Sequence, residues 1–442
     1  MAAIARIGST WLVLGLAGLL TTALVSGQAI GETEQKKLVE DFLRRDGTSD
    51  EDMRRRDEIL EKLAGVPELK QDQEKRWRQE IQKLWSKGKK LDAKSGRHFF
   101  WDKPERGLYI VGGELDRPKG LLIAMHGGGA GAGDAGSAQS AFEGAAKKLG
   151  WVAIFPEVLE KTEHGWTDAG TEEWVVELVA AARRTWKIDP NHVFFTGHSM
   201  GGFGTWTLGA HHADAVAALA PSAGAPTPIL ERDKGIVDIA DGVIPNLRNT
   251  KIVIYQSSDD PQVPPDTNRV ASKKLDEAQA KWGGFPHEYW EVKGQGHDLA
   301  PGGSIALLTK IADAVRDPRP TKLVWQPALR WKRHFGWLWW DKPSTQTTVV
   351  VEVDKQKNLV RVECKEPKPG LEVLLDERLV DFKKEVVVML GEKEVFRGTP
   401  KRTLATLLKT AARGDPELVF PAAVSVTGNG PQTPTTRSQR PR

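Results

Sequence analysis

The stretch from His192 to Gly202, HVFFTGHSMGG, decides how this chain is read. An apolar run, HVFFTG (192–197), leads into Gly197-His198-Ser199-Met200-Gly201, with Gly202 behind it. A helical pattern, GTWTLGAHH (204–212), follows. A short run without polar alternation is what a strand buried on both faces of a parallel sheet looks like. Strand, Gly-flanked turn and helix together are the setting in which G-x-S-x-G projects a serine above a sheet. The turn must be sharp, and neighbours without Cβ let it fold. Ser199 would then stand at a helix start, where free N–H groups favour negative charge.

Outward from that point the pattern repeats. LLIAM (121–125), WVAIF (151–155) and KIVIYQ (251–256) are further apolar runs, and EYWEV (288–292) is strand-like. AFEGAAKKLG (141–150) and TEEWVVELVAAARRTW (171–186) have helical spacing. The alternation predicts an α/β fold, a mostly parallel sheet with helices on both faces, which binds ligands at the carboxyl ends of its strands.

Those ends carry chemistry. A serine hydroxyl needs a base to take its proton, and a histidine base needs a carboxylate to orient it. KIVIYQ ends in SSDDPQVP (257–264), and EYWEV is followed by GQGHD (294–298). The candidate order is therefore Ser199, an Asp, then His297, with Asp259 and Asp260 adjacent and only one able to face the imidazole. LLIAM runs into HGGGAG (126–131), a loop whose backbone can approach a substrate closely. Oxyanion donors are expected from the N–H of Met200 and from that of Gly127 or Gly128. His126 reads as a brace for this loop. A phosphate-binding loop is excluded, because neither G-x-x-x-x-G-K-[ST] nor a G-x-G-x-x-G in the right context is present.

HGGG, GHSMGG, DDPQVP and GQGHD, in this order, resemble the α/β-hydrolase superfamily. The nearest branch is that of exported esterases grouped with carbohydrate acetyl and feruloyl esterases, polyhydroxybutyrate depolymerases and the prolyl-oligopeptidase catalytic domain. The resemblance covers roughly residues 100–316, about half the chain. It implies Ser199 as nucleophile, His297 as base, Asp260 as orienting acid, and Gly127, Gly128 and Met200 as oxyanion donors, with no cofactor. Prolyl-oligopeptidase relatives carry a β-propeller, for which the segment before residue 98 is too short, and they have Gly where this chain has His198. Both departures favour esters over peptides. The expected function is a serine esterase acting on a small or polymer-linked ester, a glycan ester among them. A serine peptidase and a catalytically silent glycan-binding module are the alternatives.

Composition narrows the rest. The 442 residues carry 63 basic and 59 acidic side chains, a net +4 too diffuse to mark a nucleic-acid partner. Cys364 is the single cysteine, so no intrachain disulfide exists, and its parity with Val360 and Val362 predicts a core thiol. No metal site is expected: the ten histidines include no H-E-x-x-H, and adjacent His211 and His212 should not face one site on a helix. Sixteen Trp stand beside three Tyr. Trp151, Trp174, Trp186 and Trp206 read as packing residues. Trp166, in a loop beside the expected site, is a candidate pocket residue together with His198. Trp325, Trp331, Trp337, Trp339 and Trp340 crowd one junction and read as an interdomain seam.

Residues 1–29 have one basic residue, Arg6, before an uncharged run from Ile7 to Val25, with Gly27 and Ala29 as small residues beyond it. This fits a secretory signal peptide. An uncleaved anchor competes, since 19 residues approach the ~20 that span a bilayer. Either way the body is expected to be exported, periplasmic or secreted, and to meet a membrane only through an uncleaved leader. Residues 30–97 form a charged helical segment, expected to lie on the main unit with Leu38, Phe42, Ile59, Leu63, Trp77, Ile81 and Trp85 inward and with Thr48 and Glu51 as a capping box. A catalytic unit at 98–317 follows, with 222–249 either a lid or a surface excursion. An antiparallel β-rich unit at 318–428 and a disordered tail at 429–442 complete the expected organisation.

Overall fold

The apolar runs become the middle of one sheet in a computed structural model that describes residues 30–45, 47–128, 131–231 and 235–427. The expected leader and tail lie outside the described residues. Three helices come first: α1 (Glu32–Arg44), α2 (Asp50–Ala64) and α3 (Gln71–Trp85). Then follow β1 (Gly96–Asp102), β2 (Glu105–Gly113), β3 (Gly120–Met125), α4 (Ala135–Leu149), β4 (Trp151–Pro156), α5 (Thr171–Thr185), β5 (Val193–His198), α6 (Met200–His211) and β6 (Ala218–Ser222). A two-stranded excursion, β7 (Pro228–Leu230) and β8 (Ile236–Ile239), precedes β9 (Lys251–Ser257), α7 (Asp266–Trp282), β10 (His287–Val292) and α8 (Gly303–Thr309).

The eight strands run in the order β1-β2-β4-β3-β5-β6-β9-β10. From β4 to β10 every pairing is parallel, while β1 and β2 form an antiparallel edge. Phe142 of α4 and Leu307 and Leu308 of α8 pack with Leu122, Phe194 and Val253 on one face. Trp174 and Leu178 of α5, Trp206 of α6 and Leu275 of α7 pack with Ile123, Ile154 and Ile252 on the other. Each such side chain withdrawn from water contributes about 1.5–3 kcal/mol, so the sheet is held from both sides. This is the α/β-hydrolase fold.

The remaining strands are β11 (Lys322–Trp325), β12 (His334–Phe335), β13 (Leu338–Trp340), β14 (Val349–Asp354), β15 (Leu359–Cys364), β16 (Leu371–Leu375), β17 (Val386–Leu390), β18 (Lys393–Gly398) and β19 (Ala422–Ser425), with α9 (Leu404–Ala411) before the last. They make two sheets, β11-β14-β15-β17-β18 and β12-β13-β16-β19. The expectation of an antiparallel arrangement needs one correction, because β15 and β17 pair in parallel. The chain crosses to β16 of the other sheet between them. Cys364 sits half-buried at the end of β15 rather than in the core.

The charged N-terminal segment also differs from expectation. Its inward residues are those the spacing predicted, but Leu38, Phe42, Ile59, Leu63, Trp77 and Ile81 pack on Leu404, Leu407 and Leu408 of α9, not on the sheet. The cap of α2 is Ser49, one residue later than predicted, whose hydroxyl accepts from the N–H of Asp52 at 3.3 Å.

Two buried carboxylates knit the sheet half to the β-rich half. Asp214, after α6, meets Lys332 at 2.9 Å and Arg413 at 2.5 Å, and accepts from the N–H of Gly336. Asp415 meets Arg316 at 2.7 Å and Arg183 of α5 at 3.1 Å. Trp325, Trp337 and Trp340 lie fully buried behind this seam. Burial works against the Asp214 carboxylate, but Arg413 and Lys332 outweigh it and hold the group well below the usual carboxylate range. A carboxyl lowered on folding stabilises above its unfolded pKa and ceases to as pH falls, so this contribution is full above about pH 5 and declines in acid. Replacing Asp214 with Ala strands two cations, and urea denaturation at neutral pH is expected to show a loss of about 3–5 kcal/mol. A loss under about 1 kcal/mol, the value of an exposed pair, would contradict the clamp.

Candidate active site

Ser199 stands between β5 and α6 with φ 57° and ψ −122°, a conformation that a residue with a side chain adopts only under constraint. The constraint is close packing of main chain. A Cβ at Gly201 would come within 2.1 Å of the Met125 carbonyl oxygen, so α6 can begin against β3 only with glycine there. The N–H groups of Gly202 and Phe203 bond back to the Ser199 carbonyl at 2.8 and 3.1 Å, and Ser199 N–H donates to Ser222 O at 2.9 Å. The hydroxyl is thereby set at the carboxyl end of the sheet and at the start of a helix.

His297 reaches it from the loop after β10. His297 Nε2 lies 2.9 Å from Ser199 Oγ, and Nδ1 lies 2.7 Å from Asp260 Oδ2. Asp260, whose carboxylate is sealed from solvent, also accepts from the N–H groups of Gln262 and Val263 at 2.9 Å each and from Gln256 Nε2 at 3.3 Å. Burial alone would raise this carboxyl. The Val263 N–H, the His297 ring and the Gln262 N–H outweigh it and keep the group below the ordinary carboxylate value. Asp260 therefore stays ionised and acceptor-only, so His297 carries its proton on Nδ1 and offers a lone pair on Nε2 towards Ser199.

Asp259 takes a different post. It accepts from the N–H of Gly294 at 3.0 Å, from that of Gly296 at 3.3 Å, and from Ser257 Oγ at 2.6 Å. The adjacent aspartates thus divide the work: Asp260 holds the imidazole, and Asp259 holds the loop that carries it. Sequence reasoning did not find the loop anchor. Nor did it find the buried Gln256, which Asn268 positions at 2.8 Å and which donates to Asp260. Paired amides on separate elements leave no local signature; only the doubled Asp pointed to this loop.

Met200 opens α6, so its N–H is one of those with no intrahelical acceptor. Gly127 lies against the same turn, since a Cβ on it would stand 3.0 Å from His198 O and 3.2 Å from Ser199 Cβ. Gly128, exposed beyond it, has φ +123°. His126 anchors the loop from below: its Nδ1 bonds Gly127 O at 2.8 Å, and its Nε2 accepts from the Val158 N–H at 3.2 Å. Burial lowers the pKa of this ring, which fits a neutral, fully hydrogen-bonded imidazole.

Of the two candidate pocket residues, His198 lies at the site and Trp166 does not line it. The His198 ring is 4.9 Å from that of His297, its Nδ1 is 3.1 Å from Ser222 Oγ, and burial lowers its pKa. Trp166 is 1% exposed, packs 5.1 Å from His126 and donates Nε1 to His126 O at 3.1 Å. Its loop turns inward beneath α6, so the ring buttresses the glycine loop instead of facing solvent. His211 and His212 correct another expectation, since both reach Glu172, at 2.9 and 3.0 Å. The helix ends at His211, and His212 leaves helical geometry at φ −113°. Among the described residues no group of three or more His, Cys, Asp or Glu could hold a metal ion.

No protein-family model and no curated protein matches this chain. Solved structures with distant likeness include a thermostable esterase (20% identity, TM-score 0.38), covering 50% of this chain and 63% of that one. Others are an acetyl xylan esterase from Aspergillus awamori (15% identity, TM-score 0.35, 46% of this chain and 94% of that one) and a ferulic acid esterase from Anaeromyces mucronatus (16% identity, TM-score 0.34, 50% and 89%). This chain's own strand order and turn at Ser199, rather than those likenesses, define the class: an α/β-hydrolase fold with Ser199, His297 and Asp260 in one hydrogen-bonded line. The rest of the chain, the helical segment and the β-rich half, falls outside that fold.

The two aspartates are separable by experiment. In 15N NMR, Asp260→Asn is expected to move the His297 proton from Nδ1 to Nε2, while Asp259→Ala leaves the tautomer in place. Hydrogen exchange is expected to quicken at Gly294 and Gly296 in Asp259→Ala. A tautomer change in Asp259→Ala but not in Asp260→Asn would reverse the assignment.

Proposed function

We propose that this chain is an exported serine hydrolase that cleaves carboxylic esters through Ser199, His297 and Asp260. The observation that carries the reading is the line of 2.9 and 2.7 Å contacts from the Ser199 hydroxyl through the imidazole to a buried carboxylate. In this mechanism His297 Nε2 takes the hydroxyl proton as Ser199 Oγ attacks the ester carbonyl carbon. The N–H of Met200 and that of Gly127 or Gly128 receive the oxyanion, one such donor contributing about 3 kcal/mol to lowering the barrier. Collapse breaks the bond to the alcohol, which leaves with the proton from His297. Water then attacks the acyl-serine, His297 again acting as base, and the acid is released with Ser199 restored. Asp260 orients the ring and stabilises its charged form without taking the proton.

The same reading divides the chain into a helical segment at 30–97, the catalytic unit at 98–317 and the β-rich unit at 318–428, with export directed by the N-terminal 29 residues. Esters are favoured over peptides because His198 occupies the position before the serine. The substrate class is an ester whose acyl or alcohol part is small or polymer-linked.

A panel of acetyl, butyryl, octanoyl and aryl esters with Pro-type peptide anilides tests this. Ser199→Ala is expected to lower kcat/KM for the best ester by at least about 10^4-fold, and Asp260→Asn to lower kcat by about 10^4-fold. Ester turnover that survives Ser199→Ala would remove the mechanism, and anilide cleavage without ester cleavage would replace the substrate class.

A further inference from the structure

A cavity of about 830 Å³ lies where α1–α3, the sheet half and the β-rich half meet. Its volume is within the range of about 300–1,000 Å³ typical of small-molecule sites. It is separate from the serine site. His212 on its wall follows the last residue of α6, whereas Ser199 precedes the first, so a twelve-residue helix about 18 Å long divides the two. Neither Ser199, Asp260 nor His297 lines it.

The wall is charged and aromatic. Among the described residues ten Lys and Arg line it against four Asp and Glu. Arg44 pairs with Glu40, Arg333 with Asp57, Arg45 with Asp41 and Asp52, and Lys409 with Glu372, so the positive charge not met one-to-one is confined to the Asp214 cluster and the surroundings of Arg184. Asp214, with its side chain 1% exposed, is one carboxylate shared by two lining cations, Lys332 and Arg413. Arg184 spends its hydrogen bonds on carbonyls, those of Trp85 at 3.1 Å and Lys89 at 3.2 Å, and lies 4.3 Å over the Trp85 ring. Lys89 in turn donates to the carbonyl of Phe100. Partial burial lowers the pKa of Arg184, and Glu177 on the same wall opposes that shift without cancelling it. Flat rings border the same space: Trp331 stacks with His212 at 5.8 Å, and Trp101 and Trp339 line it too. Two donors of wall residues, Trp85 Nε1 and Arg333 Nε, are buried without a partner among the described residues, as are the ring nitrogens His212 Nδ1 and His334 Nδ1. A partly closed space with guanidinium groups, unpartnered N–H donors and aromatic faces favours a ligand that is anionic at one end and flat and apolar elsewhere.

We propose that this cavity binds an organic anion, a carboxylate or phosphate borne on a flat ring, at a site separate from Ser199. Arg184 and Arg413 meet the anionic group, and Trp331 meets the ring. Such a ligand joins the three parts of the chain, since Trp85, Arg184 and Arg413 each come from a different one.

The test uses the full chain carrying Ser199→Ala, so that no turnover intervenes and failure of the esterase reading leaves it intact. Intrinsic Trp fluorescence and calorimetry are followed with 4-hydroxycinnamate, pyridoxal phosphate and inorganic phosphate as probes. One or both ring-bearing anions are expected to bind saturably with Kd below about 1 mM. Binding is expected to weaken at least about tenfold between ~50 and ~500 mM salt. It is also expected to weaken at least about tenfold in Arg184→Gln and in Trp331→Leu, but not in Arg269→Gln, whose guanidinium pairs with Glu291 elsewhere. Circular dichroism checks that each variant folds, and either of the first two suffices. No binding of the ring anions up to about 10 mM, binding unchanged in the folded variants, or phosphate binding as tightly as both ring anions would each overturn the proposal.

Discussion

One strained residue organises this molecule. Ser199 holds φ 57° and ψ −122° because the main chain of β3, β5 and α6 closes around it with no room for side chains at the glycines. A conformation of this kind costs on the order of 1–3 kcal/mol and persists only where packing over-determines it. Here that packing is the two-faced core, in which β5 is buried throughout except at its last residue. Every other part of the site hangs from strand ends fixed by the same core. Asp260 follows β9, His297 follows β10, and the glycine loop follows β3. Loosening the sheet would separate the three, whereas loosening the β-rich half would not touch them directly.

Of the strands that carry the site, β3, β5 and β9 were legible in the sequence as continuous apolar runs, and β10 as the strand-like EYWEV. β6 was not. Its residues, ALAPS, are fully buried between β5 and β9, yet small side chains and a proline conceal a strand. Periodicity in α1–α3 correctly gave the buried face but not the surface it meets, since α9 lies more than 300 residues further on. Spacing reports which residues turn inward; it holds no information about a partner that distant in the chain. The doubled aspartate had the same limit at short range. Asp259 and Asp260 have one neighbourhood in sequence, and only the fold of the His297 loop assigns the first to Gly294 and Gly296 and the second to the imidazole. Trp166 shows the converse error, a loop aromatic taken for a pocket wall that the fold tucks beneath α6.

The surplus of tryptophan divides along structural lines. Within the sheet half it fills the core, and at the junction Trp325, Trp337 and Trp340 are buried beside the ion pairs of Asp214 and Asp415. Buried charges of this sort contribute less to net stability than to fixing which surfaces meet, because mismatched alternatives leave a charge unpaired. Trp331 and Trp339 stand where that seam opens into the cavity. The seam therefore does two things at once: it joins the halves, and it leaves a charged space that the joining does not fill.

The proposed chemistry depends on activation of the Ser199 hydroxyl by the ring of His297. Labelling the full chain with a fluorophosphonate, followed by intact mass and peptide mapping, tests it most directly. Activation by His297 requires one adduct per chain, on Ser199, with formation slowed by orders of magnitude in His297→Gln. An adduct on another residue, or labelling of Ser199 at an unchanged rate in His297→Gln, would contradict it.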